Sequence, residues 1–255
     1  MSNVKLSHIT PIRGVNDEGK GKKHALHRLI HASEADVLWL HDDDIIRPAA
    51  TDAEALAALG NNDLLILPLR MQTTQDSLLQ RLQVIEYAAL QALTIRMAQR
   101  GRAILCSGAN LIVRRDVWLS AEPHLYPELP SGDDMFLLEY CKRAGKLIAA
   151  NDAPELTATI TAQPTLSALL RQRARWAGKA PHYTDHDIRR YGAMVTLAII
   201  LQLICPPLVL LYLPWEYSLV RGKGFAPLDI LLLAILYPYY ALIALISGLL
   251  HPQRW

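Results

Sequence analysis

The chain has 255 residues, with 26 Lys and Arg against 24 Asp and Glu and a formal net charge of +2. A balance this close to neutral argues against a basic nucleic-acid binder, and the length allows one large domain or one domain with an appendage. Cys106, Cys141 and Cys205 have no CxxC spacing, so they give neither a disulfide framework nor a zinc site, only buried or lipid-facing thiols in a reducing compartment. The first 14 residues contain no apolar core of a secretory signal, and the soluble part is expected to stay on the side where it is made. Residues 4–9 could form a short strand. Residues 22–32 read as a helix opened by Gly21, and residues 36–41 (DVLWLH) as a short, mostly apolar strand. An Ala-rich helix over 51–59, a turn at Asn61-Asn62 and a buried strand over 64–69 (LLILPL) follow. Residues 77–100 predict a long helix, because Leu78, Leu82, Ile85, Ala89 and Leu93 recur every third or fourth position. Residues 104–106 and 110–113 are short strand candidates, 135–144 a helix stopped by Gly145, and 147–150 a strand. This alternation predicts an α/β fold, a mostly parallel sheet with helices on both faces.

The last third differs in kind. Residues 192–215 and 230–250 carry no Asp, Glu, Lys or Arg. Each is about 20 residues or slightly longer, enough to cross a hydrocarbon core of ~30 Å, so both are predicted as transmembrane spans. Pro206-Pro207 sit near the middle of the first run, which leaves open a kinked span or a helix-break-helix that only dips into the bilayer. Arg173, Arg175, Lys179, Arg189 and Arg190 precede that run, against Arg221 and Lys223 in the connecting loop. The positive-inside bias places residues 1–190 in the cytoplasm, with 191–255 as the membrane region of a multi-pass protein. Neither run holds an ionisable pair that would mark a transport pathway.

Three clusters carry chemistry. Asp42, Asp43 and Asp44 follow the DVLWLH strand, and ligands of open sheets sit beyond strand carboxyl ends. Three adjacent acids repel one another; a divalent cation with oxygen ligands would hold them together and bridge to a diphosphate, while a solvated turn capping the next helix is the plainer alternative. Asp133-Asp134, after Pro130-Ser131-Gly132, either cap a helix or supply a general base. In Arg171-Gln172-Arg173-Ala174-Arg175-Trp176, helical spacing puts Gln172, Arg175 and Trp176 on one face. That face suits phosphate and a sugar ring, or else forms a basic juxtamembrane stripe with an aromatic anchor. His24, His27 and His31 also share a helix face; with no further ligand visible in the sequence they read as a polar surface.

Taken in order, these clusters resemble the family 2 glycosyltransferases, in particular the membrane-bound branch with the cellulose, chitin and hyaluronan synthases. Gly21-Lys22-Lys23-His24-Ala25-Leu26 is similar to the family's GKxxAL segment, and Asp42-Asp43-Asp44 with Pro48 to its D-x-D element. Ser107-Gly108-Ala109-Asn110 with Arg114-Arg115 resembles SGxNxxxRR, Asp133-Asp134 the E/D-D pair, and Gln172 to Trp176 the Q-x-x-R-W segment. The resemblance covers about residues 21–183. It implies a GT-A fold and metal-dependent inverting transfer from a UDP- or GDP-sugar to an envelope glycan or lipid acceptor, at a bacterial inner membrane and without nucleic acid. It further implies that Asp42 and Asp44 hold Mg²⁺ or Mn²⁺. Lys22, Asp42, Asp43, Gln172 and Arg175 would bind the donor, Asp133 and Trp176 the acceptor, and Asp134 would be the base. The family's first, base-binding strand has only residues 4–9 as its counterpart. A late start codon, a fragment, or a partner chain completing the sheet would account for that, as would an inactive membrane scaffold that keeps the fold.

Overall fold

A computed structural model describes residues 4–12, 15, 21–126, 129 and 131–250. The chain divides into two compact units: residues 1–69 with 94–160, and residues 70–93 with 161–254.

The first unit is a mixed α/β layer. Its strands are β1 (Leu6–Ile9), β2 (Val37–His41), β3 (Leu64–Ile66), β5 (Asn110–Arg114) and β6 (Ile148–Ala150), in the order β1-β2-β5-β3-β6. β1 pairs parallel with β2 and β3 with β6, whereas β5 runs antiparallel to both β2 and β3. Four strands therefore point one way and β5 opposes them. The helices are α1 (Lys22–Ala32), α2 (Asp52–Leu59), α4 (Arg115–Ala121) and α5 (Asp133–Arg143). Val37, Trp39, Ala55, Leu59, Leu65 and Ile112 form one buried cluster between sheet and helix. The sheet's central strands are buried on both faces, which explains why β2 reads as an unbroken apolar run in place of an alternating one.

Helix limits follow local chemistry. Thr51 caps α2 in a reciprocal box with Glu54, satisfying two otherwise unpaired backbone donors. Arg115 Nε donates to the Ile30 carbonyl near the end of α1, and Arg114 donates to the Gly60 and Asn62 carbonyls after α2. Two expectations need correction. The strand predicted over 64–69 is two strands, β3 and β4 (Leu69–Gln72), divided at Leu67-Pro68; β4 pairs instead with β7 (Ala158–Thr161) in a separate ribbon. Pro68 lacks the N–H that continuing the ladder requires. Residues 104–106 are not a strand but an irregular approach to β5.

The second unit is helical. α3 (Leu78–Gln99) begins there and ends in the first unit; α6 (Leu166–Ala177), α7 (His186–Ile204), α8 (Val209–Val220) and α9 (Pro227–Leu250) complete it. α6 packs closely along α9, and at one point only glycine permits the approach. A Cβ at Gly248 would collide with the Ala174 carbonyl and stand 2.8 Å from the Gly178 nitrogen. Leu82, Ile85, Leu219, Val220, Ile230 and Leu233 bury one face of α3 against α8 and α9. The first apolar run is not a single span. It breaks between α7 and α8 at Cys205-Pro206-Pro207, where Cys205 leaves helical geometry at φ −133 and ψ 83. A residue before proline is pushed out of the helical region, and two prolines in sequence remove two N–H donors. Among the described residues, one helix, α9, is long and apolar enough to cross a membrane, which corrects the expectation of two spans.

Candidate active site

The carboxyl end of β2 delivers His41 and then the acidic triplet. Asp42 is half-buried, and Asp43 and Asp44 are exposed. Lys22, the first residue of α1, places its ammonium directly against Asp42. Burial alone would lower the Lys22 pKa, but Asp42, and behind it Asp134 and Asp133, outweigh burial and hold it above its ordinary value. Lys22 therefore feels acids from two distant segments at once. Lys23 works beside it: its Nζ lies 3.3 Å from Asp133 Oδ1 and also donates to the Leu125 and Tyr126 carbonyls.

Asp133 and Asp134 open α5. Gly132 precedes them at φ 112, a left-handed turn that glycine enters without the Cβ penalty. The Met135 N–H donates to Asp134 Oδ1 at 2.8 Å, and the Gly108 N–H donates to Oδ2 at 3.1 Å. Both oxygens are thus oriented while each keeps a lone pair for a further partner. Burial pushes the Asp133 carboxyl up; Lys23 and Lys22 pull it back, and Asp134 adds to the rise. Partial desolvation, then Asp42 and Asp43, likewise holds the Asp44 carboxyl above its usual range. A cation beside Asp42 and Asp44 would relieve that repulsion, and their all-oxygen donor set suits Mg²⁺ or Mn²⁺.

The Ser107 to Asn110 segment does two jobs that the sequence did not separate. Gly108 orients Asp134, whereas Asn110 is wholly buried and structural. Asn110 Oδ1 accepts from Trp39 Nε1 at 2.9 Å, and its Nδ2 donates to the Pro68 and Leu156 carbonyls at 2.9 and 2.8 Å.

A family model described as "Glycosyltransferase like family 2" matches residues 3–179. The chain belongs to this family. Comparison with curated proteins gives no match. Among solved structures 45 chains match; one, described as a mycobacterial protein, shares 18% identity over 62% of this chain and 50% of its own, with a TM-score of 0.31. This chain thus spans half the length of that protein.

Against the family's motifs, the first unit brings together Lys22, Asp42, Asp133 and Asp134, with Asp43 and Asp44 in the same turn as Asp42. Gln172, Arg175 and Trp176 lie half-buried on α6 in the second unit. There Arg173 turns inward, forming a two-point ion pair with Glu86 at 3.0 and 3.1 Å. Its guanidinium also stacks 4.2 Å from the Trp176 ring centre, and Gln172 accepts from it at 2.7 Å. Arg173 is the residue that sets the posture of its two motif neighbours.

Sequence reasoning missed a chain of three side chains ending beside Asp42. Asp52 Oδ1 lies 2.9 Å from His8 Nε2, and His8 Nδ1 lies 3.0 Å from His41 Nε2. The His41 ring is wholly buried, and its Nδ1 takes no part in this chain. Burial, then His8 and Arg47, lowers the His41 pKa to about 3. The sequence signal was a histidine closing an otherwise apolar strand.

Proposed function

We propose that this chain transfers a sugar from a UDP- or GDP-sugar to an envelope glycan or lipid acceptor, with inversion at the anomeric carbon. The observation that carries the reading is Lys22 gripping Asp42 within the field of Asp133 and Asp134. Acids from two chain segments, gathered around one ammonium beyond a strand's carboxyl end, form a site for a cation-neutralised diphosphate. Asp134 is the base. Its oriented carboxylate takes the acceptor hydroxyl proton as that oxygen bonds to the anomeric carbon and the nucleoside diphosphate departs with the bonding electrons. Asp133, held by Lys23, positions the acceptor. Lys22 and Asp43 contribute to donor binding, as do Gln172 and Arg175 by their place in the motif, and Trp176 offers an aromatic face to the acceptor. Asp42 and Asp44 would hold Mg²⁺ or Mn²⁺, which when bound neutralises charge on the leaving diphosphate. β1 is an edge strand, so a partner chain completing the sheet would pair there.

The test is transfer or hydrolysis across a panel of UDP- and GDP-sugars with Mn²⁺. Activity is expected for the native chain, with a loss of about 10²-fold or more in Asp134→Asn. Equal activity in that variant removes Asp134 as the base. Failure of UDP with Mn²⁺ to bind in calorimetry would turn the reading towards an inactive scaffold.

Residues 1–190 are proposed to work at the cytoplasmic face, with 191–255 seated in a bacterial inner membrane. Most exposed large hydrophobic side chains among the described residues fall between Met194 and Leu250. The 24 residues of α9 reach about 36 Å, enough to cross. Its packing favours a second arrangement. α9 is tied to Arg81 of α3 through Asp229 near one end and to α6 at Gly248 near the other. A helix anchored by an ion pair at one end and packed along α6 at the other fits one lying in the membrane interface, with its remaining apolar face in lipid.

A further inference from the structure

We infer that His27, His31 and Glu122 form a surface site for a borderline transition-metal ion of the Zn²⁺ class, separate from the acidic cluster. His27 and His31 lie one helical turn apart on α1, and Glu122 begins the 3-10 turn Glu122–His124 that follows α4. The donor atoms of the three side chains lie within 4.8 Å of one another.

The spacing is that of ligands around one ion. In a tetrahedral site with bonds of about 2.1 Å, neighbouring donors stand about 3.4 Å apart. Glu122 Oε1 lies 3.4 Å from His27 Nε2 and 3.3 Å from His31 Nε2. Hydrogen bonding accounts for part of this arrangement, since His31 Nε2 also stands 2.9 Å from Oε2. His27, whose ring stacks on that of His31 at 4.2 Å, turns its Nε2 to the same carboxylate at 3.4 Å, the reach of an ion pair when protonated and of a neighbouring ligand when neutral. Two imidazoles and a carboxylate are a zinc ligand set with a fourth position left for water. Two nitrogen donors disfavour Mg²⁺ and Ca²⁺, which prefer oxygen alone.

The elements that carry these ligands are already held. Lys23 on α1 donates to the Leu125 and Tyr126 carbonyls just after the turn, and the Leu125 N–H returns to the Glu122 carbonyl. A metal ion here closes a second clasp between the same two segments, one helical turn or more along α1 from Lys22 and Lys23. The site stands whether or not the chain transfers sugar.

Calorimetry of the full chain in detergent, titrated with Zn²⁺ and separately with Mg²⁺, tests it. One Zn²⁺ per chain is expected at this site, with Mg²⁺ failing to compete for it. His27→Ala, His31→Ala and Glu122→Gln should each weaken binding tenfold or more, with circular dichroism confirming that the variants are folded. His24→Ala, on the same helix but outside the trio, and Asp42→Asn, in the acidic cluster, should leave zinc affinity unchanged. Co²⁺ in place of zinc should give the visible bands of a tetrahedral site, lost in His31→Ala. Absence of zinc binding, affinity indifferent to the trio, or an equal loss in His24→Ala or Asp42→Asn would each overturn the inference.

Discussion

Asn110→Ala should cost far more than removing one side chain from a loop-to-strand junction. Asn110 makes three hydrogen bonds in a fully buried position, each contributing about 1 kcal/mol net. The partners do not suffer equally. The Pro68 carbonyl keeps a second donor, the Ala158 N–H at 3.2 Å. Trp39 is 1% exposed, so its indole N–H is left buried without a partner and adds about 1–2 kcal/mol. The total is about 4 kcal/mol, a large share of the 5–15 kcal/mol that typically holds a domain together. Pulse proteolysis in urea on the detergent-solubilised chain measures it. Trp39→Phe removes both that hydrogen bond and the stranded donor in advance, so in that background Asn110→Ala should cost about 2–3 kcal/mol less. A loss below about 1 kcal/mol, or no coupling between the two positions, would show that the Asn110 network is not what joins β2, β5 and the segment at Leu156.

Two further outcomes can be measured. His41 titrates at about 3 in the folded chain, against 6.5 as its ordinary value. The unfolded chain therefore binds the extra proton first, and the stability due to neutral His41 is complete above pH 6.5 and falls as pH drops towards 3, by up to about 1.4 kcal/mol per pH unit. Unfolding measured across that window should show this slope in the native chain and not in His41→Asn; the same slope in both would assign it to other groups. For the membrane region, single cysteines at Lys223 and at Leu250, in a background lacking the native ones, can be alkylated from either side of sealed vesicles. Labelling of both from the cytoplasmic side supports the interfacial helix, and labelling from opposite sides supports a crossing one.

Much of this molecule was legible from local pattern. The limits of α1, α2 and α3 follow from periodicity and end signals, and each falls within a residue of the predicted range. Such features depend on residues within a turn or two of one another, so the sequence carries them directly. The acidic triplet could be placed beyond a strand end for the same reason, and family membership follows from motifs whose order survives without coordinates.

Other features existed only once the chain had closed on itself. Nothing near Asn110 in sequence indicates that β5 runs against its neighbours, because strand direction is set by how connections cross the sheet. Glu122 stands 91 residues from His31, so a histidine stripe with no visible further ligand gained one through topology alone. His8, His41 and Asp52 became a chain because β1 lies parallel to β2, which puts His8 beside Trp39 in register and its ring within reach of His41. The second apolar stretch is one unbroken helix, whereas the first broke at Cys205, where two prolines outweighed hydropathy. Composition could measure how apolar that segment is; the unmade backbone hydrogen bonds decided its shape.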